Sequence, residues 1–256
     1  MNTIGIIPAR MNSSRFPGKP LEKIHGMPMI GHCYHRTRLA RGIDKTYVAT
    51  CDVEIYDYVN SIGGDVIMTS SNHTRATTRT AEALEKIEKS ITDNIDVVVM
   101  VQGDEPLISP TTISETVLSF QDSSIHISNI MSHIKTKESF EDKNNVKVVV
   151  DMKNNALYFS REPIPSNWSE ESNLIRYMQT GIIAFRRDAL IYFNSLPETY
   201  LEKLESIDMN RILETGGKIH MILTEKDSIG VDVPEELIIA ENLLKGDEVM
   251  KQYINL

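Results

Sequence analysis

Two cysteines in 256 residues, Cys33 and Cys51, cannot build a disulfide framework, so a reducing compartment, the cytoplasm, is the expectation. Long apolar runs are missing as well. None approaches the roughly 20 residues that cross a bilayer, and the opening MNTIGIIPAR has neither the basic start nor the apolar stretch of a secretion signal. A soluble protein with no membrane partner follows, and the sequons at Asn12, Asn72 and Asn167 become chance matches. Basic excess is absent too: 36 acidic residues against 27 Lys and Arg give a net charge of −9. That excludes a general nucleic-acid binder but leaves room for a locally basic pocket around a small anion. Glycine-rich phosphate fingerprints are also lacking. No GxGxxG follows the first apolar segment, and Lys19 precedes Pro20 where a Walker loop needs Ser or Thr.

What is present is alternation. Thr3 to Pro8 reads as a buried strand breaking at a proline, Met29 to Arg41 as a helix and Thr46 to Thr50 as a strand. Val53 to Ile62 is helical up to the Gly63-Gly64 stop, and Asp65 to Met68 is a short strand. Thr78 to Lys89 is helical, with Ala81, Leu84 and Ile87 on one face and Glu82–Lys86 and Glu85–Lys89 pairs on the other. Ile95 to Val101 is the most apolar of the strand segments, as suits the centre of a parallel sheet. The pattern predicts an α/β protein with a doubly wound, mostly parallel sheet, whose ligands bind beyond the C-terminal strand ends. From about residue 121 to 186 the rhythm changes. His126 to His133, Val146 to Val150, Ala156 to Phe159 and Gly181 to Arg186 read as strands without intervening helices, a mixed-sheet lobe on one domain spanning 1–256. Helices return over Leu201 to Glu214 and Pro234 to Leu244, around a strand at Lys218 to Leu223.

Chemistry concentrates in three places. The loop Pro8-Ala9-Arg10-Met11-Asn12-Ser13-Ser14-Arg15-Phe16-Pro17-Gly18-Lys19-Pro20 sets three cations and two hydroxyls on one connection. Such cations repel one another unless a polyanion lies between them, although a solvated basic loop has the same composition. Asp104, in Val101-Gln102-Gly103-Asp104-Glu105-Pro106, stands at the end of the most apolar strand. It would face the first loop and suit Mg²⁺ beside phosphates, or serve only as a turn residue. Asp232, in Gly230-Val231-Asp232-Val233-Pro234-Glu235-Glu236, carries a helix-start signature and needs the fold to reach Asp104. His32, Cys33 and His35 make a poor zinc site, since position 33 leaves the face that 32 and 35 share. Trp168 sits in a polar lobe loop, either exposed or against acceptor or partner, and methionines such as Met27, Met29 and Met178 read as core filling.

In order along the chain, IPARMNSSRFPGKPL, VAT, the GG-V-MT stretch, VQGDEPLI, NVKVVVD…ALYFSR and GVDVPEEL resemble the bacterial 3-deoxy-manno-octulosonate (Kdo) cytidylyltransferases. The resemblance covers nearly the whole chain; the first and fourth motifs are specific in combination. It implies a nucleotidyltransferase of glycosyltransferase-A type that transfers CMP from CTP to the anomeric hydroxyl of an acidic sugar and releases pyrophosphate. Mg²⁺ and a homodimer formed through the mixed-sheet lobe are implied with it. Carried over by position, Ala9, Arg10, Ser14, Arg15 and Lys19 would hold the nucleotide with Thr77, Arg79, Gln102 and Asp104. Asp104 and Asp232 would be the metal ligands, and Arg10, Lys19, Asp104 and Asp232 the catalytic set. Gln102, Arg161, Gln179, Asp208 and Arg75 would meet the acceptor.

The departures define a second expectation. The family's His-x-Ser-Gly-Thr-acid-Arg is His73-Thr74-Arg75-Ala76-Thr77-Thr78-Arg79 here, and the Asp after VAT is Cys51. Gln179 stands for a His, Ile183 for a Tyr, and Asp208-Met209 for Glu-Gln. Sites that bond sugar hydroxyls discriminate through their polar groups. Altered groups predict an altered acceptor: a modified ulosonic acid or a phosphonate, with Arg75 suiting a smaller or more anionic one. A catalytically weak nucleotide-binding paralogue and a uridylyl- or guanylyl-transferase are the competing readings.

Overall fold

The computed structural model describes residues 1–13, 15–169, 174–226 and 229–254. Its first half follows the alternation. Strand β1 (Thr3–Ala9) is followed by a short antiparallel pair, β2 (Lys23–Ile24) and β3 (Met27–Pro28), then by α1 (Met29–Arg38), β4 (Lys45–Thr50), α2 (Val53–Ser61), β5 (Asp65–Met68), α3 (Ala76–Glu88) and β6 (Val97–Val101). The second half adds α4 (Pro110–Ser119), β7 (Ile127–His133), α5 (Lys137–Glu141), β8 (Lys147–Val150), β9 (Ala156–Ser160), β10 (Tyr177–Arg186), α6 (Arg187–Ser195), α7 (Tyr200–Glu205), α8 (Met209–Glu214), β11 (His220–Thr224) and α9 (Pro234–Leu244).

One sheet runs through the molecule in the order β11-β7-β10-β6-β1-β4-β5, with β8 joined to β10 and β9 to β8. Strands β6, β1, β4 and β5 are parallel, β10 runs antiparallel between β6 and β7, and β11 parallels β7. Side chains alternate between two cores because successive strand residues face opposite sides. Ile4, Ile6, Val98, Met100, Ile183 and Phe185 pack with Leu84 and Ile87 of α3 and Leu190 and Phe193 of α6. Ile7, Val97, Val99, Val101 and Ile182 pack with Ile30, Ile55, Val59, Ile113 and Val117 of α1, α2 and α4. Burial of each such side chain contributes roughly 1.5–3 kcal/mol before the entropy of ordering is set against it. A third cluster seats α9 and the C-terminal turn, through Val231, Leu244 and Tyr253, on Ile24 and Met29.

Several sequence expectations change. Segment 121–186 is not set apart as a lobe of strands: β7 and β10 belong to the central sheet, α5 interrupts the run, and the β8–β9 hairpin with its flanking loops extends beyond it. Helices α4 and α6 were not expected. The single helix expected over 201–214 is two, α7 and α8, because Ser206 adopts a left-handed conformation (φ 54°) between them.

This topology explains the position of the cleft. The loops after β1, β4, β5 and β6 leave the same edge of the sheet. Because β10 is antiparallel and begins before its pairing with β6, its first residues lie at that edge too: Ile182 stands opposite Val101, and Tyr177 to Gln179 lead up to it. The pairing of β10 with β7 shifts register between Gln179 and Ile183.

Candidate active site

A cleft of 480 Å³ opens along this edge, lined by Ala9, Arg10, Arg15 and Lys19 on one side and by Arg161, Gln179 and Asp208 on the other, with Gln102 and Asp104 on its floor. That volume suits a nucleotide-sized ligand. Gly103 lets the β1 and β6 edges meet, since a Cβ there would lie 2.9 Å from the Pro8 carbonyl.

The basic loop is held by its neighbours. Asp52, just past β4, accepts the Met11 amide at 2.8 Å, and the Cys51 thiol leans on the same carboxylate at 3.6 Å. The metal-type carboxylates converge as well. The Val231 amide donates to the Asp104 carbonyl at 2.8 Å, which brings the chain before α9 against the end of β6. Glu236 accepts the amides of Asp232 and Val233 at 2.6 and 3.1 Å. Glu236, not Asp232, therefore caps α9, and the Asp232 carboxylate is left for the cleft.

Lys19 lies between the two aspartates. Its ammonium donates to Asp104 at 2.8 Å, to Asp232 at 2.9 Å and to the Val231 carbonyl at 2.9 Å. Burial alone would lower its pKa, but Asp104 and then Asp232 hold it above the usual ammonium value. Arg15 adds 2.8 Å contacts to Asp232 and 2.9 Å to the Asn144 side chain. Two carboxylates converging on one cation would suit a Mg²⁺ that drew its other ligands from phosphate and water. The described residues hold no group of three or more His, Cys, Asp or Glu that could bind a metal without such help.

The loop after β5 forms another wall. Buried Arg79 donates to the Thr69 hydroxyl at 2.5 Å, and Arg79 and Arg10 both reach the His73 carbonyl at 3.5 Å. His73 bonds Thr78 at 3.0 Å and Glu82 through its other ring nitrogen. Burial alone would raise the Glu82 carboxyl, but Lys86, the Ser70 amide and His73 bring it down to about 2.

The structure places the expected residues unevenly. Arg10, Arg15, Lys19, Arg79, Gln102, Asp104, Arg161, Gln179, Asp208, Asp232 and the Ala9 strand end share the cleft. Ser14 lies outside the described residues. Thr77 does not line the cleft: it is buried and donates its hydroxyl to Asp208. Arg75 does line it, but as part of an ion-pair group rather than as a cation offered to ligand. It contacts Asp208 at 2.6 Å, Glu198 at 3.2 Å and Glu202 at 3.6 Å, and Glu202 is clasped in turn by Arg211. An acceptor of higher negative charge is therefore not favoured by Arg75. Trp168 is 93% exposed. His32 and His35 are structural: His32 bridges Ile24 and Tyr253 at 2.9 Å each, and His35 stacks on the Tyr253 ring.

Asp52 and Glu105 were missed. Glu105 accepts the Gly181 amide at 2.6 Å, fastening β10 to the end of β6. Asp52 shows the signal that singled out Asp104, a carboxylate just past a buried strand.

A model of the cytidylyltransferase family matches residues 4–220. A 3-deoxy-manno-octulosonate cytidylyltransferase of Thermodesulfovibrio yellowstonii is 41% identical over 251 residues, covering 95% of this chain and 98% of that protein. An 8-amino-3,8-dideoxy-manno-octulosonate cytidylyltransferase of Shewanella amazonensis is also 41% identical, over 249 residues, covering 96% of this chain and all of the relative. A solved CMP:2-keto-3-deoxy-manno-octonic acid synthetase complexed with CTP superposes with a TM-score of 0.89 at 34% identity, covering 96% of this chain and 99% of the other. With the cleft built as described, these matches leave one assignment: the chain belongs to the cytidylyltransferase family.

Proposed function

We propose that this enzyme transfers CMP from CTP to the anomeric hydroxyl of an eight-carbon 3-deoxy-ulosonic acid of the Kdo type, releasing pyrophosphate. The observation that carries the reading is the single cleft in which Arg10, Arg15, Lys19, Asp104 and Asp232 face Arg161, Gln179 and Asp208. Arg10, Arg15 and Lys19 hold the triphosphate, with Ala9, Gln102 and Arg79 shaping the nucleotide end. The acceptor hydroxyl attacks the α-phosphorus in line while the three cations stabilise the departing pyrophosphate, a mechanism of positioning and charge. No side chain need form a covalent intermediate.

Asp104 and Asp232 would hold Mg²⁺, which would supply charge stabilisation at the reacting phosphate and lower the pKa of a coordinated hydroxyl. Lys19 then exchanges its two carboxylates for phosphate oxygens. On the acceptor side, Arg161 receives the sugar carboxylate, while Gln102, Gln179 and Asp208 meet hydroxyls. A homodimer belongs to the same proposal, supported by Met152, Leu157, Trp168 and Ile175, large apolar side chains exposed on and around the β8–β9 hairpin. So does a cytoplasmic home, supported by two unpaired cysteines.

A second reading is an acceptor with an amine in place of one hydroxyl. It is favoured by the excess of acid around Arg75, where the carboxylates of Glu198, Glu202 and Asp208 form ion pairs with the guanidinium groups of Arg75 and Arg211. Pyrophosphate release with Mg²⁺ and CTP, UTP or GTP, across Kdo, its 8-amino analogue, sialic-type acids and phosphonates, tests both readings. Turnover with CTP and Kdo is expected. Turnover with the amino analogue alone establishes the second reading, and CTP binding without any turnover points to the nucleotide-binding paralogue.

A further inference from the structure

Lys147 is a fully buried lysine with no carboxylate partner among its hydrogen bonds. Its ammonium donates instead to three main-chain carbonyls: Asp142 at 2.8 Å, Asn145 at 2.7 Å and Arg161 at 2.6 Å. An ammonium carries three donors, and here each is satisfied. Burial lowers its pKa, against the pull of the nearby Asp142 and Glu162 carboxylates, neither of which bonds it directly.

The Arg161 carbonyl held this way is half of a clamp. On the other side, Glu205 accepts the Arg161 amide at 2.9 Å, the Ser160 hydroxyl at 2.7 Å and the Tyr158 hydroxyl at 3.1 Å. The Arg161 side chain is fixed by the same two neighbourhoods, donating Nε to the Glu205 carbonyl at 2.8 Å and one terminal nitrogen to the Lys143 carbonyl at 2.9 Å. A residue whose amide is gripped by an anion, and whose carbonyl is gripped by a cation, has little freedom left in its main chain. Charge-assisted bonds at both ends are stronger than the neutral bonds of a sheet ladder.

The clamp also reaches the nucleotide side. The 142–145 segment that Lys147 gathers includes Asn144, which holds Arg15 of the basic loop. Glu205 immediately precedes Ser206, which with Asp208 lines the opposite wall.

We propose that Lys147 and Glu205 are positioning residues that preset Arg161 for the acceptor. The proposal rests on the reading of Arg161 as the acceptor's anchor. Neither residue lines the cleft, so each acts through Arg161 rather than by touching substrate.

Steady-state kinetics with Mg²⁺, CTP and Kdo on the full chain test this, together with calorimetric CTP affinity and a melting curve for each variant. Lys147→Met strands three carbonyls, and Glu205→Gln weakens the grip on the amide; each should raise the Kdo KM about tenfold or more. CTP affinity should stay within about twofold. Arg161→Lys should raise the Kdo KM by itself, and adding Lys147→Met to it should cost much less than the product of the two effects. If Lys147→Met fails to fold, Glu205→Gln carries the test in the same pairing. Should both variants lower the melting temperature and kcat while the Kdo KM stays flat, or combine multiplicatively with Arg161→Lys, their role is merely structural and the proposal is overturned. If instead Arg161→Lys leaves the Kdo KM unchanged, or the unaltered chain does not turn over Kdo, the underlying reading falls and takes the proposal with it.

Discussion

At the scale of single residues, the central charges of the cleft are already paired with one another. Lys19 satisfies both aspartates, so removing one changes the chemistry more than the fold. Asp104→Asn should lower kcat about a hundredfold or more while circular dichroism and CTP binding persist; a variant retaining full turnover would remove Asp104 from the reaction. His32 offers a test of stability. Burial, partly offset by its bond to the Ile24 carbonyl, takes its pKa from the usual 6.5 down to about 4. The unfolded chain then binds the proton more readily than the native one. The stability His32 contributes is complete above pH 6.5 and is lost as pH falls through 4, with a slope approaching about 1.4 kcal/mol per pH unit. Urea melts between pH 4 and 7 should show that slope and its flattening in His32→Gln. The sequence made Arg10, Arg15 and Lys19 visible because three cations share one short connection. Lys147, Glu205 and Asp52 stayed invisible because they act through single main-chain and hydroxyl groups, most of them far along the chain, to which no sequence pattern points.

At the scale of elements, the helices with a clean apolar stripe were legible and the others were not. Helix α3 shows its 3.6-residue period, and both expected surface pairs form, Lys86–Glu82 at 2.7 Å and Lys89–Glu85 at 2.6 Å. Helix α4, PTTISETVLS, buries Ile113 and Val117 but is rich in threonine and serine, which weaken both propensity and periodicity. The break between α7 and α8 depends on a left-handed serine, a conformation composition does not announce. Strand β10 is bound to its surroundings more tightly than its sequence suggests. A Cβ on Gly181 would stand 2.2 Å from a Glu105 carboxylate oxygen and 2.7 Å from Gln102 Cγ. Gly181→Ala should destabilise the protein by about 1–3 kcal/mol in urea denaturation; a neutral result would mean that the β10–β6 junction relaxes freely.

At the scale of the whole molecule, the parallel half of the sheet could be derived from alternation, but the place of the second half could not. Insertion of β10 between β6 and β7 is a long-range choice, and it turns a supposed appendage into part of the central sheet. Seating α9 on Ile24 and Met29 brings Asp232 beside Asp104, two residues that sequence spacing could not bring together. The β8–β9 hairpin, joined to the sheet through β10, leaves Met152 and Leu157 exposed, with Trp168 exposed in the loop that follows. Light scattering should give twice the 29.0 kDa of one chain, and Leu157→Asp should shift the mass toward the monomer. A monomeric mass at micromolar concentration would end the homodimer proposal.

The register shift in β10 has an evolutionary consequence. Before it, Gln179 lines the cleft; after it, Ile183 to Arg186 keep step with Val97 to Met100. The irregularity acts as a joint between a stretch that opens on the cleft and one that holds the fold, with Ile183 at the changeover still touching the cleft. Mutations at position 179 can drift or adapt without disturbing the pairing beyond the joint, so a lineage can try new sugars while its architecture stays heritable.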